Sequence, residues 1–350
     1  MPLVVEHPDA ANSLYKKYMG IMSAETILEF GSSLGDFESN GIIGHDQFTS
    51  VLDGEPVIRT YNNFTINAGH TVTTTHRCKG LYLYIKGDLT VNGILSMNAR
   101  GAKGAGKFVG IDPKNKVVYF HSTDIFTAKG LFKINKVGGV RTAYPANNTN
   151  IDGNSGVDGA CGSGGSGGRH INTGGGNAGR GGPGTSFSGG PGGGGTCILG
   201  TTASGGDGAD DAGAGGAGNA YDNTGWIKCS GGGAGNNGGA GKAYNGGVGS
   251  IGTNGAGGLI ILIVEGNIII GPNGYIQSNG SNGGNATSSI QNDRAWGAGG
   301  GASGGGAVHV FTDNPINLPA RIRALGGIGG VSNVYGGNGG PGSVGIRSIN

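Results

Sequence analysis

The stretch Gly257 to Gly284, GGLIILIVEGNIIIGPNGYIQSNGSNGG, decides how the rest of the chain is read. An apolar strand follows a Gly pair, a turn leads to a shorter apolar stretch, a second turn leads to a third, and a Gly-rich segment then begins. The same order of features recurs in Lys79 to Gly104, KGLYLYIKGDLTVNGILSMNARGAKG, and in Gly305 to Gly330, GGAVHVFTDNPINLPARIRALGGIGG. The third stretches carry Ile94 and Leu95, Tyr275 and Ile276, and Ile322 and Ala324. Leu81, Leu83 and Ile85 alternate with other residues at the period of two that a half-buried strand requires. One such unit cannot bury its own apolar face, so the repeat predicts short β-rungs stacked on one another. Val57 to Val72, with Phe64, Ile66 and Val72 at the apolar positions, reads as a further, degenerate rung.

Glycine is the other dominant signal. It makes up 84 of the 350 residues, and 44 of these fall between residues 151 and 260. Gly costs about 1 kcal/mol relative to Ala in a helix interior, which excludes a long helical bundle there. Collagen is excluded too, because the 11 Pro residues and the Gly follow no strict three-residue period. Two readings of the Gly tracts remain: a flexible linker, or extended helices of three residues per turn whose bare backbones bond to one another. Gly162 to Gly168, Gly231 to Gly241 and Gly336 to Gly342 suit the second. So do Phe187, Ile198, Leu199, Tyr221, Trp226, Ile227, Tyr244, Val248 and Ile251, which a solvated linker avoids.

Outside these regions the sequence says less. Leu14, Tyr15 and Tyr18 suit a short amphipathic turn ending at Gly20, and Ser23 is placed to cap a helix over Ala24 to Phe30 that stops at Gly31. The expected organisation is a docking or capping segment over 1–54, a β-rung region over 55–100, an insert lobe over 101–150, a glycine-rich region over 151–258, and further rungs with glycine-rich loops over 259–350. The insert carries Phe108, Tyr119, Phe120, Phe126 and Phe132 among its lysines, with Asn148, Asp152 and Asn154 beyond, and reads as a surface lobe with no assignable ligand. The fold expected is mostly β and irregular: stacked rungs in the manner of a β-solenoid, a glycine-helix bundle and a small N-terminal helical segment.

The combination of Gly-rich tracts and aromatic-bearing interruptions resembles the glycine-rich tail-fibre adhesins of bacteriophages. The rung motif, Gly87 to Gly101 (GDLTVNGILSMNARG) and Gly299 to Gly330, looks like one that recurs in glycine-rich tail and bacterial surface proteins. The likeness covers roughly residues 55 to 345. It implies a bundle of polyglycine II helices displaying loops that bind a receptor on the bacterial host, a place in the virion tail after synthesis in the host cytoplasm, and an N-terminal segment that meets other tail proteins. A small stack carrying long Gly tracts gains from assembly, so a homo-oligomer, such as a trimer, is expected. Rungs on both sides of the long Gly tract depart from the simplest bundle adhesins and leave the position of a recognition tip open.

The remaining motifs argue for binding rather than catalysis. With 23 basic and 21 acidic residues the chain has no general attraction for nucleic acid or anionic lipid. Met1 to Ala10 lacks the basic flank and apolar core of a secretory signal. The longest apolar run, Leu259 to Ile270, is broken by Glu265, Gly266 and Asn267, short of the roughly 18 residues a membrane helix needs. Cys78, Cys161, Cys197 and Cys229 form no CxxC pair and read as isolated thiols, although a disulfide among the last three stays open. Gly101 to Phe108, GAKGAGKF, approaches a phosphate loop but puts Phe108 where a Ser or Thr is needed. Asp207, Asp210, Asp211 and Asp222 lack calcium-loop spacing and read as a solvated turn, as do Asp88, Glu265 and Asp313 singly. Neither HExxH nor GxSxG occurs, so no enzyme, cofactor or metal is expected. The candidate receptor-binding residues are Phe187, Tyr221, Trp226, Tyr244, Trp296 and Tyr335, whose flat rings on rigid loops offer contact area at low entropic cost. The competing reading is that they fill gaps between Gly helices and rungs. A non-binding structural component and a polysaccharide depolymerase, with carboxylates drawn from different rungs, are the alternatives to the adhesin.

Overall fold

A computed structural model of the chain describes residues 26–43, 48–124, 131–143, 151–171, 177–198, 215–220, 227–244, 247–288 and 295–350. These residues are mostly β. The helical element among them is a single 3-10 turn, Pro319–Arg321.

The repeats become three parallel sheets. The first is formed by Val57–Tyr61, Leu81–Ile85, Leu259–Val264, Ala307–Phe311 and Ser343–Arg347. The second takes Phe37–Glu38, Phe64–Ile66, Leu89–Val91 and Ile268–Ile270, with Ile316 bridged to Ile268. The third takes Ile42–Ile43, Thr71–Val72, Ile94–Ser96, Tyr275–Gln277 and Ile322–Arg323. The chain thus visits the sheets in order and returns to the first one strand further along. Residues 37–43 already belong to this series, so the strand pattern begins before the expected boundary at residue 55.

Register explains the burial. Ile260, Leu262 and Val264 join Leu83, Ile85, Leu89, Val91, Leu95, Ile276, Val308 and Val310 in one core enclosed by the three sheets. The alternate residues Leu259, Ile261 and Ile263 face a second core. A strand covered on both faces reads as an unbroken apolar run, which is why Leu259–Val264 shows no polar alternation. Side-chain ladders hold the corners. Asp36 Oδ1 accepts from the Asn63 amide (3.1 Å), Asn63 Oδ1 from the Asp88 amide (3.0 Å), and Asp88 Oδ1 from the Asn267 amide (2.7 Å). Each turn side chain therefore satisfies the peptide of the next rung. Asp88 is a turn residue, as expected, and Asp313 caps Ile349 (2.9 Å) in the same way.

The second core is covered by an antiparallel sheet ordered Thr26–Glu29, Val117–His121, Phe108–Asp112 and Phe132–Ile134. Val109, Ile111, Val118, Phe120 and Ile134 pack on Ile261, Ile263 and Phe311. Two expectations change here. Thr26–Glu29 is a strand and not part of a helix over Ala24 to Phe30, because the edge at Val117–Phe120 offers Thr26 and Ile27 a ladder that outweighs four residues of helix propensity. The insert, moreover, is a lid on the first sheet and not a lobe apart. The turn expected at Leu14 to Gly20 and the ring of Phe126 lie outside the described residues.

Beyond the third sheet the chain makes its long excursions, and there backbone hydrogen bonds recur at every third residue. The amides of Gly162, Gly165 and Gly168 donate to Gly305, Ala302 and Gly299 (2.9, 2.9 and 2.8 Å). The amides of Gly190, Gly193 and Thr196 donate to Gly162, Gly165 and Gly168 (2.8, 3.0 and 3.0 Å). Gly280, Gly283 and Ala286 donate to Leu325, Ile328 and Val331 (2.8, 3.0 and 3.0 Å), whose own amides donate to Asn279, Asn282 and Asn285 Oδ1 (2.9, 2.9 and 2.8 Å). A Cβ on Gly301 would overlap the Gly165 carbonyl, so the approach of these segments requires Gly there. All four cysteines are buried, and none is joined in a disulfide.

Two outcomes follow from this packing. Gly301→Ala should cost about 1–3 kcal/mol in denaturant unfolding, whereas Leu325→Ala, at a side chain half exposed to solvent, should stay within about 0.5 kcal/mol of wild type. The second concerns His309, which is buried against Phe132 (4.6 Å between rings). Arg347 Nη1 stands 3.3 Å from its Nδ1, which must therefore accept, leaving Nε2 to donate to Ser343 Oγ (3.4 Å). Burial, helped by the Arg347 charge, lowers its pKa from the ordinary 6.5 to about 3. Between those values the unfolded chain binds a proton that the folded chain excludes, so stability falls as pH is lowered through that window. Unfolding free energies measured from pH 6.5 to 4 should drop by up to about 1.4 kcal/mol per pH unit from this group, and His309→Leu should remove that slope.

Candidate functional site

The glycine segments have two ends. At one end Gly162 donates to Gly305 and Gly189 to Gly257 (2.9 Å each), just before the strands Leu259–Val264 and Ala307–Phe311 of the first sheet. At the other, the Gly ceases and β-prone residues take over. Gly168 is followed by Arg169–Ile171, Gly195 by Thr196–Ile198 and Gly218 by Asn219–Ala220, which pair as one parallel sheet. Returning segments start there too, with Ile227–Ser230 leading into Gly231 and Ala295–Ala298 into Gly299. Those two strands pair in parallel, and Lys242–Tyr244 adds to the other edge of Ile227–Ser230. Gly247–Gly249 and Ala286–Ser288 form an antiparallel pair alongside. The glycine segments therefore end, away from the three parallel sheets, in a cluster of short strands.

Three of the expected aromatic positions, Tyr244, Trp296 and Tyr335, lie at this end. Tyr244 and Trp296 lie opposite Lys228 in adjacent strands, so the three occupy one row across the sheet. Tyr221 and Trp226 lie outside the described residues. Tyr335 joins through its neighbour Val334, which is buried and bridged to Ala298. The ring of Tyr335 is half exposed at 50%. Its amide donates to Asp152 Oδ1 (2.7 Å) and its carbonyl accepts from the Gly153 amide (2.7 Å).

Phe187 does not belong with them. It is buried at the stack-side end, with its ring 5.9 Å from that of Phe120 in the second core. The turn Ser186 to Ser188 lies against Gly106 and Gly101, where the lid sheet leaves an apolar surface to cover. A ring enclosed in this way has no face for a receptor, and Phe187 is a packing residue.

The strand-built end also holds groups that the sequence did not single out. Arg169 is buried, and its Nη1 donates to Asn177 Oδ1 (3.2 Å). Burial lowers its pKa, but a guanidinium keeps its charge across the physiological range. His170 is buried beside it, in register with Cys197. The signal for these residues was their position directly after a Gly tract, as in GGRH; the cross-strand register that gathers them is not visible in one dimension.

Elsewhere the carboxylates serve the framework. Glu265 receives the Tyr84 hydroxyl (2.9 Å) and Lys116 (3.0 Å), and although burial opposes its charge, these contacts hold its pKa below the usual range. The phosphate-loop-like stretch runs into a strand, Phe108–Asp112, and not a helix. The cluster Asp207, Asp210, Asp211 and Asp222 lies outside the described residues. Among the described residues no helix is long and apolar enough to cross a membrane.

Neither the models of protein families, nor the curated proteins, nor the solved structures contain a match to this chain.

The rigidity of the Tyr335 turn is measurable. Asp152→Ala removes the charged acceptor of its amide, and hydrogen exchange at the Tyr335 amide should accelerate about tenfold while amides of the first sheet keep their protection.

Proposed function

We propose that this protein is a receptor-binding adhesin of a bacteriophage tail. In this reading the three parallel sheets are a β-solenoid, and the glycine segments are polyglycine II helices that carry the strand-built end away from it. At 3.1 Å per residue a helix over residues 162–168 spans roughly 20 Å. Loops at that end contact a glycan or protein on the bacterial surface, with Tyr221, Trp226, Tyr244, Trp296 and Tyr335 as the contact residues. The N-terminal segment joins the protein to other tail components, and copies associate, as a trimer in the simplest case. No catalytic step and no cofactor enter this reading.

The observation that carries it is the placement of Tyr244, Trp296 and Tyr335, far apart in sequence, at one end of the backbone-bonded glycine segments. Aromatic rings on rigid supports suit sugars and protein surfaces alike, since they bury area with few torsions to freeze. A spacer would have no use for that concentration at its free end.

Fluorescently labelled full-length protein, applied to a panel of bacterial strains before and after removal of surface glycans, tests the reading. Strain-selective binding should be lost on stripping if the receptor is a glycan, and should fall at least about tenfold in Trp226→Ala and Trp296→Ala variants that remain folded. Binding that survives replacement of every loop at the strand-built end overturns it. Assembly without binding to any strain leaves a structural tail or envelope component as the better account.

A further inference from the structure

A second feature lies on the outer face of the third sheet, on the stack itself. Ile276 pairs with Ile322 and points inward with it, so the flanking residues of both strands face out. Tyr275 and Gln277 are thereby set beside Arg321 and Arg323. The Arg323 guanidinium carbon lies 3.9 Å from the Tyr275 ring centroid and that of Arg321 4.6 Å. Gln277 Oε1 accepts from Arg323 Nε (3.1 Å) and Nη2 (2.8 Å), which fixes the orientation of that fork. Among the described residues no carboxylate comes within 4.0 Å of either guanidinium, and the Arg321 side chain donates no hydrogen bond. Both side chains keep part of their surface in solvent.

Two like charges held over one ring, with nothing to neutralise them, repel each other unless an anion joins them. The ring offsets part of that cost by attracting both cations. It also preorganises them, so that an incoming carboxylate or phosphate meets paired donors that need no rearrangement. Ile94 lies in register with Tyr275 and Thr71 with Ile94, so a row of partly exposed side chains crosses the sheet and leads to the arginine pair, while Ser96 and Gln277 beside it are buried. Two cations on a chain of net charge +2 do not provide the row of phosphate contacts that a nucleic acid needs. A cross-strand row that offers the Thr71 hydroxyl, the Ile94 side chain and the Tyr275 ring next to one anion site suits an extended, acidic sugar chain.

We propose that Tyr275, Gln277, Arg321 and Arg323 form a binding site for an anionic polysaccharide, with the two arginines taking its carboxylate or phosphate group. This site lies on the stack and does not depend on the reading of the strand-built end.

The test is titration of the full chain with oligogalacturonate, a glycerol phosphate oligomer, neutral dextran and oligoglutamate, in wild type and in Arg321→Gln. Because Arg321 donates to no described group, that variant should fold normally, and circular dichroism checks this. At least one of the first two probes should bind, more weakly as salt is raised, while dextran should not. Arg321→Gln should weaken the binding about tenfold, and Trp296→Ala should leave it unchanged. Oligogalacturonate alone being held identifies a carboxylate sugar, and glycerol phosphate alone a phosphate polymer. Equal binding by wild type and Arg321→Gln, no binding of either anionic saccharide, or tighter binding of oligoglutamate overturns the proposal. Failure of cell binding in the strand-end variants would leave this result untouched, so the two readings fail separately.

Discussion

A peptide group taken out of water must find a partner, and in this protein the partner almost always belongs to a different pass of the chain. In the stack, each strand bonds to the strands of the repeats before and after it. In the glycine segments, each third amide bonds to a neighbouring segment, as Gly165 does to Ala302 and Gly193 to Gly165. The difference between the two regions is what fills the space between backbones. The stack encloses a core of Leu, Ile and Val; the glycine region has removed the side chains, so that backbones themselves make the interior.

The two regions are joined by the same device that holds the corners of the stack. Asn98 Oδ1 accepts from the Asn279 amide (2.6 Å), and Asn279 Oδ1 accepts from the Leu325 amide (2.9 Å), one rung further on. Asn282 and Asn285 continue the ladder at the same three-residue spacing into the glycine region. A second tie runs through Arg77, which grips Asp53 with two nitrogens (2.6 and 2.9 Å) and also donates to the Asn236 carbonyl. Burial opposes the charge of Asp53, but the Arg77 fork and the Lys103 amide hold its pKa below the usual range. The stack thus sets the spacing and direction of the glycine segments, and their far end inherits that order.

Much of this was legible in one dimension where local chemistry decides. The three quoted repeats gave the strands of the stack because period and turn residues repeat in step. The expectation for Ala24 to Phe30 failed because a Ser before an apolar stretch is a local sign, whereas Thr26–Glu29 is held by a ladder to Val117–Phe120, about ninety residues away. Phe187 was misread for a related cause. Its neighbours are Gly and Ser, the company of an exposed loop, but the surface it covers is made by Tyr82, Ile261 and Phe120, from other parts of the chain. The Tyr275 and Arg321 pair was open to discovery by aligning GYIQ with ARIR, which places both on the outer face of adjacent rungs.

The sequence by itself determined that the chain is β-rich, that it repeats, and that its glycine is concentrated in tracts whose bare backbones are able to approach closely, since these properties depend on residue spacing and on the absence of a Cβ. Only the tertiary structure decided which segments neighbour which, that Tyr244 and Trp296 share a row with Lys228, and that a lid sheet buries the outer face of the first sheet. Glycine allows contact without selecting a partner, because a bare backbone fits any other. Selection comes from the register of the stack, whose interlocking side chains lie far from the segments they arrange.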